Sequence, residues 1–216
     1  MALSRLNYNS LNVTPTASKG IGFDSGADDL AATFSGGSMT FISKFTSDGS
    51  DDTATFASGI DSTYKEYLFI FNNIHGETDN KDLTVGFRDG STAYDATKTT
   101  TIFEAYHAEA DTHAAFAVVT GGDIAQGTGF QALTGGMGDD NEDEGSGYLH
   151  LFNPSSTTFV KHFIAQTQSS YHTGLPMELN WYVAGYCNTT SAIDGVQFKM
   201  SSGNIDAGTF KMYGVN

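Results

Sequence analysis

Along most of this chain apolar and polar residues alternate with a period of two. The clearest stretch runs over residues 181–187, where Trp181, Val183, Gly185 and Cys187 share one side and Tyr182, Ala184 and Tyr186 the other. That period predicts strand rather than helix. After a polar break at residues 188–191, Ile193, Val196, Phe198 and Met200 point one way. Beyond the link 201–208, which carries Gly and Asn residues able to take positive φ, the alternation resumes with Phe210, Met212 and Val215. Residues 181–215 therefore predict a terminal hairpin that closes the domain.

The same reading extends upstream. Met39, Phe41, Ile42 and Phe45 mark one strand, and Thr55, Phe56 and Ile60 lead to the next. Residues 67–71 (Tyr-Leu-Phe-Ile-Phe) are apolar on both faces, which suits either a central strand between two packed layers or a strand half buried by another subunit. On the second alternative, Tyr67, Phe69 and Phe71 are subunit-interface candidates. Leu83, Val85 and Phe87 alternate as the half-buried partner strand. Residues 99–106 and 115–119 are rich in β-formers, and the runs 148–152 and 159–165 flank a turn at 153–157 that predicts a hairpin. Residues 121–147 form the longest irregular stretch and 166–178 a polar loop. Roughly eight to ten strands follow, with turns every ten or so residues. The predicted fold class is all-β, an antiparallel β-sandwich of jelly-roll-like type. The poorly alternating residues 1–26 predict an extended N-terminal arm, and 27–216 a single sandwich domain.

Charge changes the list of partners. The 216 residues hold 25 Asp plus Glu against 10 Lys plus Arg, a formal net charge of −15. Phosphate backbones and anionic membranes are repelled by such a chain, so neither nucleic acid nor membrane insertion is expected. The start of the chain lacks the apolar run of a secretory signal, and no eighteen consecutive residues are apolar. One cysteine, Cys187, rules out an internal disulfide, and its apolar strand suits a buried packing thiol.

Candidate chemistry is sparse, and neither a catalytic residue nor a cofactor is expected. His107, Glu109, Asp111 and His113 alternate on one face, the residue types that hold a divalent ion. In an extended strand, however, the outer two would lie about 20 Å apart at ~3.3 Å per residue. The acidic run 139–144 offers oxygen ligands for calcium without the spacing of a calcium-binding loop, as do Asp48, Asp51 and Asp52. His150 and His162 fall on neighbouring strands of a hairpin, where sheet hydrogen bonding is the simpler role. Tyr94, Tyr106, Tyr148, Tyr171 and Trp181 would make a sugar-stacking surface if exposed, which keeps binding of host surface glycan as a second expectation.

The C-terminal run 192–215, with its Ser-Gly-Asn-Ile at 202–205 and closing Tyr213-Gly214-Val215, resembles the end of a family of small virion proteins of tailed bacteriophages. Residues 147–156 and the opening Met-Ala-Leu-Ser-Arg-Leu-Asn are similar to marine-phage members of that family. The resemblance implies a jelly-roll-like structural module, commonly a homotrimer, that decorates a capsid or joins a fibre or tail appendage. It implies a virion-surface location after synthesis in the host cytoplasm, with other virion proteins as partners. On this reading the arm anchors the module to the particle through Leu3, Leu6, Tyr8 and Leu11.

Overall fold

The structure is a computed structural model that describes residues 19–23, 30–35, 38–171 and 175–216. The anchoring candidates Leu3, Leu6, Tyr8 and Leu11 lie outside the described residues. The chain divides into two compact units, Met1–Thr40 and Phe41–Asn216. In the first, strands β1 (Lys19–Phe23) and β2 (Leu30–Ser35) pair antiparallel, with a register shift between Gly20 and Gly22.

The second unit is the antiparallel β-sandwich. Its strands are β3 (Met39–Thr46), which starts at the unit boundary, β4 (Ala54–Phe56), β5 (Glu66–Gly76), β6 (Leu83–Arg88), β7 (Lys98–Ala108) and β8 (Ala114–Val118). A short 3-10 turn at Thr120–Gly122 precedes β9 (Gln131–Ala132), β10 (Gly145–Phe152), β11 (Lys161–Tyr171), β12 (Met177–Cys187), β13 (Gly195–Met200) and β14 (Ile205–Val215). The larger sheet has the order β3-β14-β5-β10-β11-β12-β7-β8 and the smaller β4-β13-β6-β9. Most connections carry the chain from one sheet to the other, as in a jelly roll, and the total exceeds the eight to ten strands expected.

That crossing habit corrects two pairings. The final strands β13 and β14 are not a hairpin: β13 pairs β4 and β6 in the small sheet, and β14 pairs β5 in the large one. They face each other across the core, where the rings of Phe198 and Phe210 stack at 5.1 Å. Likewise β5 and β6 are not partners but sit in opposite sheets. In both cases each strand has one strongly apolar side. Alternation fixes which face is buried, and two such faces are satisfied equally well stacked across a core or side by side in one sheet.

The core follows from that stacking. Phe198 sits at its centre with ring centroids 5.7 Å from Phe69, 5.7 Å from Phe71 and 6.3 Å from Phe56. Phe87 of the small sheet meets Phe163 of the large one at 4.8 Å. Tyr67, Phe69 and Phe71 are at most 1% exposed, so they serve the chain's own core, the first of the two alternatives for β5. This corrects their assignment as subunit-interface candidates: Leu68 and Ile70, on the other side of the pleat, are the β5 residues that face away from the core. The outer side of β6 is covered as well, since a Cβ at Gly86 would meet the Phe130 ring at 2.7 Å and the Tyr94 carbonyl at 2.6 Å.

Two loop expectations also change. Residues 166–171 continue β11, with Thr167 and Ser169 buried and Gln166 and Gln168 outward. The strand escapes a hydrophobicity reading because its inward positions are small and polar, Thr167 donating to the Leu133 carbonyl at 2.5 Å. The stretch 121–147, the longest irregular one in the sequence, is not an exposed loop throughout. Its middle instead packs inward, with Gln131, Leu133, Thr134 and Met137 at most 1% exposed.

Because Phe198 touches rings from both sheets, Phe198→Ala removes the shared contact. A loss of roughly 3–5 kcal/mol in urea-induced unfolding is expected, the range for buried Phe truncation. A loss below 1 kcal/mol would show that the sheets are held elsewhere.

Candidate functional site

The small sheet and the glycine-rich segment cover one face of the large sheet, and among the described residues nothing covers the opposite face. Its side chains run in register from strand to strand. Lys211 lies opposite Ile70, and Ile70 opposite Tyr148. Tyr148 is paired with Gln166, and Gln166 with Tyr182. Phe103 follows opposite Tyr182, and Val118 opposite Phe103. Neighbouring rows add Leu68, His150, Ile164 and Ala184 on one side and Phe116 on the other. Phe116 is 70% exposed, Val118 60% and Ile164 43%.

The polar groups in this row bond to one another. Tyr148 donates its hydroxyl to Gln166 Oε1 at 3.2 Å, and Gln166 Nε2 donates to the Tyr182 hydroxyl at 2.9 Å and to Asn180 Oδ1 at 3.3 Å. His150 Nε2 stands 2.9 Å from Glu66 Oε2. The rings of Phe103 and Tyr182 stack face to face, 4.7 Å apart and 10° from parallel. Cross-strand rings stacked in this way stand upright on the sheet and turn their edges, not their faces, to solvent.

Other candidate residues are scattered. Trp181 is 7% exposed and belongs to the core, which corrects its place among surface sugar-stacking residues. Tyr94 lies 5.7 Å from the Arg88 guanidinium, Tyr106 and Tyr171 pack against the core, and only Tyr148 is on the open face. The β7–β8 turn brings His107 Nε2 to 3.2 Å from Asp111 Oδ1, while His113 Nδ1 contacts Thr112 Oγ1. Among the described residues, no three His, Cys, Asp or Glu side chains form a group that could hold a metal ion. Asp48 and Asp51 cap their own loop, Asp48 accepting from Ser50 and Asp51 from Ser47 and the Asp48 backbone. His162 lies opposite Tyr186 at one end of the open face, one strand from His150.

Two buried arrangements went unnoticed in the sequence. Lys161, Cys187 and Lys98 stand side by side on β11, β12 and β7, all 0% exposed. Lys98 Nζ donates to the Gly129 carbonyl at 2.7 Å and Lys161 Nζ to the Thr189 carbonyl at 3.0 Å. Burial lowers both lysine pKa values, with the charges of Cys187 and of Asp95 or Asp89 opposing it. Burial likewise pushes the Cys187 thiol up to about 12, against the pull of the two lysines.

The second arrangement is at the end of β5. His75 Nδ1 lies 2.6 Å from Asp206 Oδ1 and Nε2 lies 3.0 Å from the Asp140 carbonyl. Both partners are acceptors, so only the doubly protonated ring donates to both. Burial lowers the His75 pKa, but the bonds to Asp206 and Asp140, with the charges of Asp206 and Asp139, outweigh it and leave the value raised. The imidazolium thereby ties the acidic run 139–144 to β5 and β14.

No protein-family model, curated protein or solved structure matches this chain.

Two outcomes follow. Cys187 should resist a thiol reagent such as DTNB in the native state at pH 8 and react stoichiometrically once the chain is denatured; rapid native labelling would mean that this end of the core opens. For His75, a raised folded pKa means stability that is fully present below the unfolded value of about 6.5 and lost as pH rises through the folded value. His75→Gln should therefore destabilise the protein more at pH 5.5 than at pH 9, measured by paired urea titrations, and an equal loss at both would remove the charged-pair assignment.

Proposed function

We propose that this chain is a structural subunit of a bacteriophage virion, an assembly module that decorates a capsid or contributes to a fibre or tail appendage. The observation that carries the reading is the open face of the eight-stranded sheet, where aromatic and aliphatic side chains lie in register on a chain whose net charge is −15. Loss of charge together with enrichment in Tyr and Phe is the compositional mark of a protein interface centre. Phe103, Phe116, Val118, Tyr148 and Ile164, all exposed, gather on this one face, and clustered exposed apolar side chains mark interaction surfaces. The resemblance of residues 192–215, 147–156 and the opening residues to marine-phage virion proteins supplies the kind of particle. Residues 1–12 serve in this reading as the attachment to a neighbouring virion protein.

A glycan-binding adhesion module is the second reading, favoured by the tyrosine hydroxyls and amides on the same face. The upright Phe103–Tyr182 pair weighs against it, because a sugar stacks on an open ring face and these two are turned to each other.

Antibody raised against the purified chain should label gradient-purified phage particles in immunogold electron microscopy, and unlabelled particles would overturn the assignment. A chain lacking residues 1–12 should fold normally by circular dichroism yet be missing from the particles; full occupancy would reject the arm as the anchor.

A further inference from the structure

We infer that the open face of the large sheet is covered in solution by the same face of a second copy of this chain, the two related by a two-fold axis. The inference rests on the assembly reading above and names its first partner.

Charge selects the occupant. A partner recognised by opposite charge would be drawn to the acidic loops, such as 139–144, rather than to this face. The outward positions of β5, β10, β11, β12 and β7 carry two carboxylates, both outside the central rows: Glu66, 2.9 Å from His150 Nε2 in the end row, and Glu178, opposite His107 near the other end. Two copies of a chain with net charge −15 repel each other everywhere except where carboxylates are missing. The central rows of this face, from Leu68 and Ile70 across to Thr101 and Phe103, are such a place.

Its central amide tolerates coverage. Gln166 bonds to Tyr148, Tyr182 and Asn180 within its own chain, so a dry partner face leaves none of those contacts to be replaced. A lone exposed amide would instead require a matching polar group from the partner.

Size and relief agree. Eight strands spaced ~4.8 Å apart give a width of about 34 Å, and four rows of outward positions give a length of about 20 Å. That is about 700 Å² per copy, or about 1,400 Å² in total, within the range of stable protein interfaces. On β12 the small Ala184 lies between Tyr182 and Tyr186, opening an apolar depression of about 370 Å³ bordered by Thr101, His162 and Ile164. Phe116 stands proud on the same face at 70% exposure. A face that carries both proud and recessed apolar positions is suited to sheet-on-sheet packing, and a two-fold axis lets each copy supply both. A closed trimer, the form implied by the phage resemblance, would have to use a different surface.

The test is sedimentation equilibrium of the full chain at 50 mM and 0.5 M NaCl. A species of twice the 23.0 kDa chain mass is expected, tighter at high salt because screening relieves the repulsion between acidic copies. Ile164→Glu and Phe103→Glu should each weaken the dimer at least tenfold. Both side chains already reach solvent in the single chain, so circular dichroism should be unchanged. Phe159→Ser, exposed in the loop before β11, should leave the dimer intact. A monomer at 100 µM in both salts, a trimer, or a dimer indifferent to both Glu variants would each overturn the inference. Particle labelling reads the virion assignment separately: a monomer found on particles removes only this inference, and a dimer absent from particles removes only that assignment.

Discussion

The structure depends on one mismatch: a sheet of eight strands has to be covered by a sheet of four. The small sheet places Phe56, Val85, Phe87, Val196 and Phe198 against the large one and buries them all. It cannot reach across the full width. The remainder of the inner face, under β11, β12 and β7, is covered by the segment 120–138, and the bonds show how. Lys98 reaches the Gly129 carbonyl, Thr100 bonds to Gln131 Oε1, Thr167 bonds to the Leu133 carbonyl and the Ile102 amide bonds to Asp123. A covering made of loop has backbone groups to satisfy, and buried backbone polar groups must find partners. That requirement explains why the inner sides of β7 and β11 carry Lys98, Thr100, Lys161, Thr167 and Ser169 among apolar residues such as Ile102 and Phe163.

The same requirement explains the buried lysines. Each ammonium lies within reach of a carbonyl from the covering segments, and each flanks Cys187 on the neighbouring strand. A buried charge is costly unless bonded, and two of them beside one thiol hold that end of the sandwich to a narrow set of geometries. At the opposite end of the large sheet, doubly protonated His75 performs a related task on the acidic run, with Asp206 as its counter-charge. Thus the long segment 120–144 is held by Lys98 at Gly129 and by His75 at Asp140, in a chain that has few cations.

The sequence was legible wherever alternation and burial coincide. The inward sides of β12 and β13 follow from it directly, and so does the hairpin of β10 and β11. Pairing was not legible, because Leu83, Val85 and Phe87 look the same whether their strand hydrogen-bonds to β5 or stacks upon it. The polar half of β11 was missed because Thr167 and Ser169 are buried against loop carbonyls, which gives a hydrophilic strand with no apolar period. The open face could have been seen in part. Tyr182, Ala184 and Tyr186 are the outward side of β12 and are not polar, and Leu68 and Ile70 are the outward side of β5. Reading only the inward side placed the interface on Tyr67, Phe69 and Phe71, one residue out of phase with the surface that is open.

A one-residue error of phase exchanges core for surface in a strand, so the two faces of this sheet carry separate information. The inner face is determined by the need to fill a space, and any apolar residue of suitable volume satisfies it. The outer face has no such internal demand. Water accepts Lys, Glu or Thr there at no cost to the fold, and the chain has carboxylates in abundance to place. Lys211, Glu66 and Glu178 sit toward its margins, while ring edges, Ile164 and an internally bonded Gln166 occupy its centre. On that outer side Phe116 packs on Phe103 at 5.4 Å and Ile164 lies between His150 and Ala184, so the exposed apolar side chains form a row of their own that the filling of the core does not require.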